Sequence, residues 1–279
     1  MKTRILSALV GLVLLGIVFA FLDTLLLNIT MCVICVMAVM ELLIATGCSK
    51  FKGLVALSML MTAVIPFARW GYLRPVLFEV VYVLIIAFFL LLLWHNEAMG
   101  VGHLAMTFLF STIVPVFYSC AVYLRDDKGA LLGGFYLLVA LGSAWLCDTG
   151  AYFTGRAFGR RKLAPKVSPK KTVEGAVGGV VFCTVLLLAL SGAYEAAADW
   201  MGTPVRINYP TLAVCTPVFA VVGMLGDLSA SVIKRQFGIK DFGNIMPGHG
   251  GILDRFDSVL FTLPAVYILS GHVSLITAI

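Results

Sequence analysis

Asp227, Ser231 and Lys234 recur at i, i+4 and i+7 and share one face of any helix that carries them. Asp254 and Asp257, at i and i+3, do the same further along the chain. Between these groups lie glycines at 238, 243, 248, 250 and 251, which permit tight turns and close approach of the backbone to a ligand. The same stretch holds Lys240, Asp241 and His249. Three carboxylates beside lysine and arginine suit a hard cation such as Mg²⁺ that also holds phosphate oxygens. A network of interhelical salt bridges is the alternative, with Asp227, Asp254 and Asp257 pairing with Lys234, Arg235 and Arg255. That alternative leaves the glycine-rich stretch and His249 without a role.

A second cluster is CDTGAYFTGRAFGRRKLAPKVSPKKTVEG, residues 147–175. Asp148 lies in an apolar run, and seven basic residues follow within the sixteen positions 156–171. Ser168, Lys170, Lys171 and Thr172 then crowd the start of a helix. Free N–H groups at a helix start, together with lysines, make an anion site. Anchoring by positive charge at a membrane surface would also explain the basic residues. Glu174, in the first turn of that helix, complements the helix dipole.

These groups must be positioned by a very apolar chain. Of its 279 residues, 61% are hydrophobic and 12% charged, against roughly half and a quarter in soluble domains. An integral membrane protein is expected, of all-α polytopic class. Nine runs are long and apolar enough to span, at about 5–22, 24–47, 53–68, 75–94, 101–124, 130–154, 175–197, 209–233 and 256–278. The third is short, so eight or ten spans are open alternatives. The first run, with Lys2 and Arg4 before it, has the form of a signal peptide, but its length and the short turn after it favour a retained span. With no internal repeat or linker, residues 1–279 read as one membrane domain. Helices of 1–130 would be a lipid-facing or dimer scaffold, and 131–279 would carry the chemistry on the loops 156–173 and 236–254.

Nine spans put fifteen of the 20 Lys and Arg residues on the side of the N-terminus and the even-numbered loops. The other side keeps Arg69, Arg74, Arg125, Lys128 and Arg206. The positive-inside bias makes the richer side cytosolic, so the N-terminus is expected inside and the C-terminus outside. The net charge of +6 then faces anionic membrane lipids. A nucleic-acid partner is not expected, because the chain has no soluble basic domain. Glu41 and Glu79 stand alone in or near spans 2 and 4 and read as helix-packing or interfacial acids. The seven cysteines lie mostly in apolar runs. Cys32 and Cys35 form a C-x-x-C inside a hydrophobic helix with no second pair, so they read as small packing residues.

The stretch SVIKRQFGIKDFGNIMPGHGGILDRFD, residues 231–257, resembles the signature of the phosphatidate cytidylyltransferase (CDP-diacylglycerol synthase) family. Its pattern runs Ser-x-apolar-Lys-Arg, four residues, Lys-Asp, then His-Gly-Gly and Asp-Arg-apolar-Asp. Every fixed position matches, and Met246 is a conservative departure. DTGAYFTGRAFGRRKLAPKVSPKKTVEG, residues 148–175, is similar to the same family, with Val173 where an aromatic is frequent. The motifs cover roughly residues 140–260.

The resemblance implies the reaction of CTP with phosphatidate to give CDP-diacylglycerol and pyrophosphate. It also implies Mg²⁺, a second, monovalent cation such as K⁺, and often a homodimer. It places the metal on Asp227 and Asp254, with Asp257 adjacent. Lys170, Lys171, Lys234 and Arg235 would bind phosphate oxygens. Lys240, Asp241, His249, Gly250 and Gly251 would shape the nucleotide pocket, with His249 as general acid or hydrogen-bonding group. Asp148, Ser168, Thr172, Ser231 and Arg255 would complete the substrate site. An integral protein of the bacterial inner membrane is implied, with its active site on the cytosolic face. Two rivals remain: a related CTP transferase acting on polyprenols or archaeal lipids, and an ion-coupled transporter. A transporter predicts buried charge in several helices of both halves, whereas here the polar residues gather in the C-terminal half.

Overall fold

The computed structural model describes residues 2–95, 97–245 and 250–279. Helix dominates: α1 (Lys2–Ala20), α2 (Leu26–Ala45), α3 (Lys52–Val64), α4 (Leu77–Trp94), α5 (Val101–Phe158), α6 (Val173–Trp200), α7 (Tyr209–Gln236) and α8 (Leu253–Ser270). Four short strands are interspersed: β1 (Lys162–Ala164), β2 (Ser168–Thr172), β3 (Val205–Ile207) and β4 (Ile276–Ala278). Among the described residues, five helical segments are long and apolar enough to cross a membrane: Leu26–Ala45, Arg74–Trp94, Val101–Phe158, Val173–Trp200 and Tyr209–Gln236. The architecture is that of an all-α membrane protein. Hydrocarbon offers no partner for backbone N–H and C=O groups, and a helix satisfies them within one segment.

The helices follow the expected apolar runs with four differences. Runs 101–124 and 130–154 join in α5, interrupted by a kink at Gly129 (φ 76°, ψ 167°), a conformation open to glycine. The loop expected over 156–173 contains an antiparallel hairpin, Lys162 facing Thr172 and Ala164 facing Ser168. The last run, expected as a span over 256–278, is helical only to Ser270. Its end is instead strand β4, antiparallel to β3 with Arg206 opposite Thr277, where β-branched Ile276 and Thr277 suit a pleated pair. Helix α8 also begins earlier than expected, at Leu253, so Asp254, Arg255 and Asp257 lie at its start.

The chain forms two compact units, Met1–Val122 with Gln236–Arg255, and Tyr123–Arg235 with Phe256–Ile279. In the first, α2 packs on α3 and α3 on α4. Leu54, Phe88, Met99 and Leu104 form one buried cluster there, and Met61, Ile65 and Leu84 another. All seven cysteines are free, and Cys35 is fully buried, as packing residues are.

The second unit is held by close helix contacts at small residues. A Cβ on Gly179 of α6 would fall 2.7 Å from the Cys147 carbonyl oxygen and 2.9 Å from the Ala151 Cβ. One on Gly178 would lie 2.5 Å from the Thr154 hydroxyl oxygen, and that hydroxyl donates to the Gly175 carbonyl at 3.2 Å. Gly226 of α7 meets the Asp257 carbonyl of α8 in the same way, at 2.6 Å. Gly192 of the same helix α6 has no neighbour nearer than 3.5 Å to an added Cβ. Gly179→Ala is therefore expected to destabilise by about 1–3 kcal/mol through overpacking. Gly192→Ala should be neutral or stabilising by up to about 1 kcal/mol. Thermal unfolding of the detergent-solubilised variants measures both, and equal Tm values would refute the close-packed seam.

Candidate active site

In the second unit the end of α7 carries Asp227, Ser231 and Lys234 on one face, as the spacing requires. Ser231 and Lys234 are buried. The Ser231 hydroxyl donates to Asp227 Oδ1 at 3.4 Å. Lys171, on β2, donates its ammonium to Asp227 Oδ2. Hairpin β1–β2 makes this possible, because it turns the basic segment back toward α7. The Arg235 Nε–H donates to the Val167 carbonyl at 3.2 Å and ties the hairpin turn to the same helix end.

Asp257 is 7% exposed, and its Oδ1 accepts the Ser258 N–H at 2.8 Å. Among the charges that act on it are the like charges of Asp227 and Asp148 and the opposite charge of Lys234. Asp148, in α5, accepts the Ser258 hydroxyl at 3.0 Å. Like charges on Asp227 and Asp148 thus act on buried Asp257, with the Lys234 ammonium opposing them and the Lys171 ammonium held by Asp227. Burying a carboxylate in such company is costly unless further positive charge arrives. The donors are all hard oxygens, the kind Mg²⁺ takes, so the residues fit a divalent cation in chemistry. Among the described residues, no group of three or more His, Cys, Asp or Glu side chains is already drawn together to hold one.

The first unit holds the glycine-rich stretch. Asp254 Oδ2 accepts the N–H of Phe242 at 2.8 Å and of Gly251 at 3.0 Å. Gly250 has φ 91°, a backbone conformation glycine favours. Glu41 of α2, 2% exposed, accepts the N–H groups of Ile252 and Leu253, both at 2.9 Å. This acid, read from sequence as a packing or interfacial group, holds the start of α8. The available signal was its position as a carboxylate within an apolar run.

The remaining expected site residues are more dispersed. Thr172 caps α6, its hydroxyl oxygen accepting the Gly175 N–H at 3.1 Å. Glu174 does more than complement the dipole, accepting the Arg160 N–H at 3.0 Å and the Arg161 N–H at 3.1 Å. Ser168 is half-buried in β2, while Lys170, Lys240, Asp241 and Arg255 are exposed. His249 lies outside the described residues.

An all-α membrane protein with acids and ammonium groups interleaved at a helix end, followed by a glycine-rich stretch, is the class these features define. The model of the cytidylyltransferase family matches residues 2–272, and the chain belongs to that family. A phosphatidate cytidylyltransferase of Bacillus subtilis (strain 168) is 46% identical over 143 residues, 51% of this chain and 49% of the relative. One of Staphylococcus saprophyticus is 43% identical over 148 residues, 53% of each chain. One of Haemophilus influenzae is 41% identical over 164 residues, 58% of this chain and 55% of the relative. The chain spans about half the length of these relatives in the matched region.

Proposed function

We propose that the protein is a phosphatidate cytidylyltransferase, joining CTP and phosphatidate to CDP-diacylglycerol with release of pyrophosphate. The observation that carries this reading is the pairing of Lys171 with Asp227 on the helix face that bears buried Lys234, in a chain that belongs to the cytidylyltransferase family. A phosphatidate oxygen would attack the α-phosphorus of CTP, and the bond to the β-phosphate oxygen would break. The nucleophile is already an anion, so no strong base is needed, and catalysis is mostly positioning and charge stabilisation. Lys170, Lys171, Lys234 and Arg235 would hold phosphate oxygens. Lys240, Asp241, Gly250 and Gly251 would shape the nucleotide pocket, with His249 hydrogen-bonding there.

Mg²⁺ belongs to this reading, with Asp227 and Asp257 as ligands and, on the resemblance alone, Asp254 as another. When bound it would neutralise charge on the leaving pyrophosphate. A monovalent cation and a homodimer are carried on the resemblance. Purified protein with labelled CTP and phosphatidate, with and without Mg²⁺, tests the reaction. Metal-dependent formation of CDP-diacylglycerol is expected, and its absence under all conditions would overturn the assignment.

The reading extends to nine spans of one membrane domain in the bacterial inner membrane, N-terminus and active site cytosolic, C-terminus outside. Contacts within each unit support this alternation. The C-terminal part of α2 meets the start of α8 through Glu41, and the 159–172 segment meets the end of α7. The β3 segment pairs with the chain after α8, and Lys128 donates to the Ser270 carbonyl at 2.7 Å. Pro165→Cys and Ile245→Cys, in a background lacking the native cysteines, should label only from the cytosol, and Pro204→Cys only from outside. Labelling of positions 165 and 204 from one side would break the nine-span layout.

A further inference from the structure

We propose that Glu41 is a positioning residue for the nucleotide-binding loop, acting through the backbone amides of Ile252 and Leu253. The inference rests on the cytidylyltransferase reading for what the loop binds, but its geometry does not. Glu41 lies four residues from the C-terminal end of α2. A carboxylate so buried in an apolar helix is costly unless its oxygens are satisfied. Both are: Oε1 accepts from Ile252 and Oε2 from Leu253 at 2.9 Å, two N–H groups at the start of α8, where the helix leaves its first amides without internal partners and an anion complements the dipole.

The loop closes on this carboxylate from two directions. A Cβ on Gly243 would fall 2.5 Å from Glu41 Oε1, and one on Gly251 would fall 2.5 Å from Oε2. Asp254 gathers the amides of Phe242 and Gly251 onto one oxygen. Phe242, next after Lys240 and Asp241, and Gly251, next after Gly250, are therefore both held by Asp254, while Glu41 holds the two residues that follow Gly251. A helix start needs only a neighbouring Ser, Thr, Asp or Asn as its cap. Here one acceptor comes from 212 residues away in the chain, which is the arrangement that holds a loop in register rather than merely starting a helix.

The test compares Glu41→Gln and Glu41→Asp with the wild-type chain in nanodiscs. Its readouts are equilibrium CTP binding, the KM for CTP and for phosphatidate, and amide hydrogen exchange at residues 250–254. Glutamine keeps one acceptor oxygen but sets an NH₂ donor against the second N–H. Losing one charge-assisted bond to the loop should weaken CTP binding and raise its KM by about tenfold to a hundredfold, with the KM for phosphatidate unchanged and exchange at 252 and 253 accelerated. Glu41→Asp retains the charge and should give a smaller loss of the same kind. Gly243→Ala, which crowds the same carboxylate, should resemble Glu41→Gln should the latter fold poorly. If turnover falls only with the folded fraction while CTP affinity and KM hold, Glu41 only fastens the fold and the proposal fails. Unchanged amide exchange would also overturn it. A wild-type chain that binds CTP without making CDP-diacylglycerol would refute the reaction assignment, and the CTP affinity of the variants would still decide the role of Glu41. No CTP binding by the wild type would overturn both.

Discussion

Asp227→Asn is expected to fold normally and to lose turnover by about a thousandfold or more, which is about 4 kcal/mol of transition-state stabilisation. Asparagine has the same shape and keeps an acceptor oxygen for the Ser231 hydroxyl, while the charge is removed and an NH₂ group replaces the oxygen that accepts from Lys171. The Lys171–Asp227 pair is partly exposed, with 25% and 19% of the two side chains accessible. Water reaches both side chains and screens the lysine left unpaired in Asp227→Asn, so the stability loss should stay below the about 3–5 kcal/mol of a fully buried pair. Folding and turnover should therefore separate. The charge-reversed double variant Lys171→Asp with Asp227→Lys makes the distinction sharper. It restores an ion pair but puts a cation where one must be bound and an acid where a phosphate must be held. Were the pair merely structural, the reversal would restore activity. We expect it to restore none. Lys171→Arg should also lose substantial activity, because the planar guanidinium differs from an ammonium in geometry and hydration. The measurements are initial rates against each substrate, with thermal unfolding as the control. Near-normal turnover in Asp227→Asn, or recovery on reversal, would return these residues to a salt-bridge role.

Asp254→Asn should be nearly as severe, for a reason that Asp254→Ala can isolate. One oxygen of Asp254 accepts two loop amides, and asparagine can still accept both through its carbonyl while losing the charge. Alanine loses the charge and the acceptor together. If the charge itself is used, by a bound cation, both variants should fall on the order of a thousandfold. Only alanine should then loosen the loop, seen as faster amide exchange at Phe242 and Gly251. If Asp254 serves the loop alone, asparagine should retain most of the turnover. A well-folded Asp254→Asn variant that turns over normally at low Mg²⁺ would rule out a metal-ligand role.

The acids and bases of residues 227–257 were legible in the sequence because their relations are local. Helix periodicity alone puts Asp227, Ser231 and Lys234 on one face, and the hydroxyl-to-carboxylate bond between the first two follows from it. The membrane class was equally legible, since mean hydropathy is a sum over residues and needs no fold. The hairpin β1–β2 was less so. Its prolines and lysines read as a basic loop, and strand pairing over three to five residues leaves little periodic signal. The end of α8 misled for a related reason: an apolar run looks the same whether it continues a helix or pairs as a strand like Ile276–Ala278.

What the sequence by itself determined is which side chains lie on each helix face and that the helices need an apolar solvent. Only the tertiary structure decided which distant groups meet. Lys171 reaches Asp227 across 56 residues, Asp148 meets Ser258 across 110, and Glu41 receives Leu253 across 212. In the second unit, such meetings depend on how closely two helices approach. That distance is set where a backbone oxygen and a missing Cβ touch, as at Gly179 against Cys147 and Gly226 against Asp257. A glycine's lack of a side chain is written in the sequence, but the neighbour that fills the space is not, because it comes from a segment with no local relation to it.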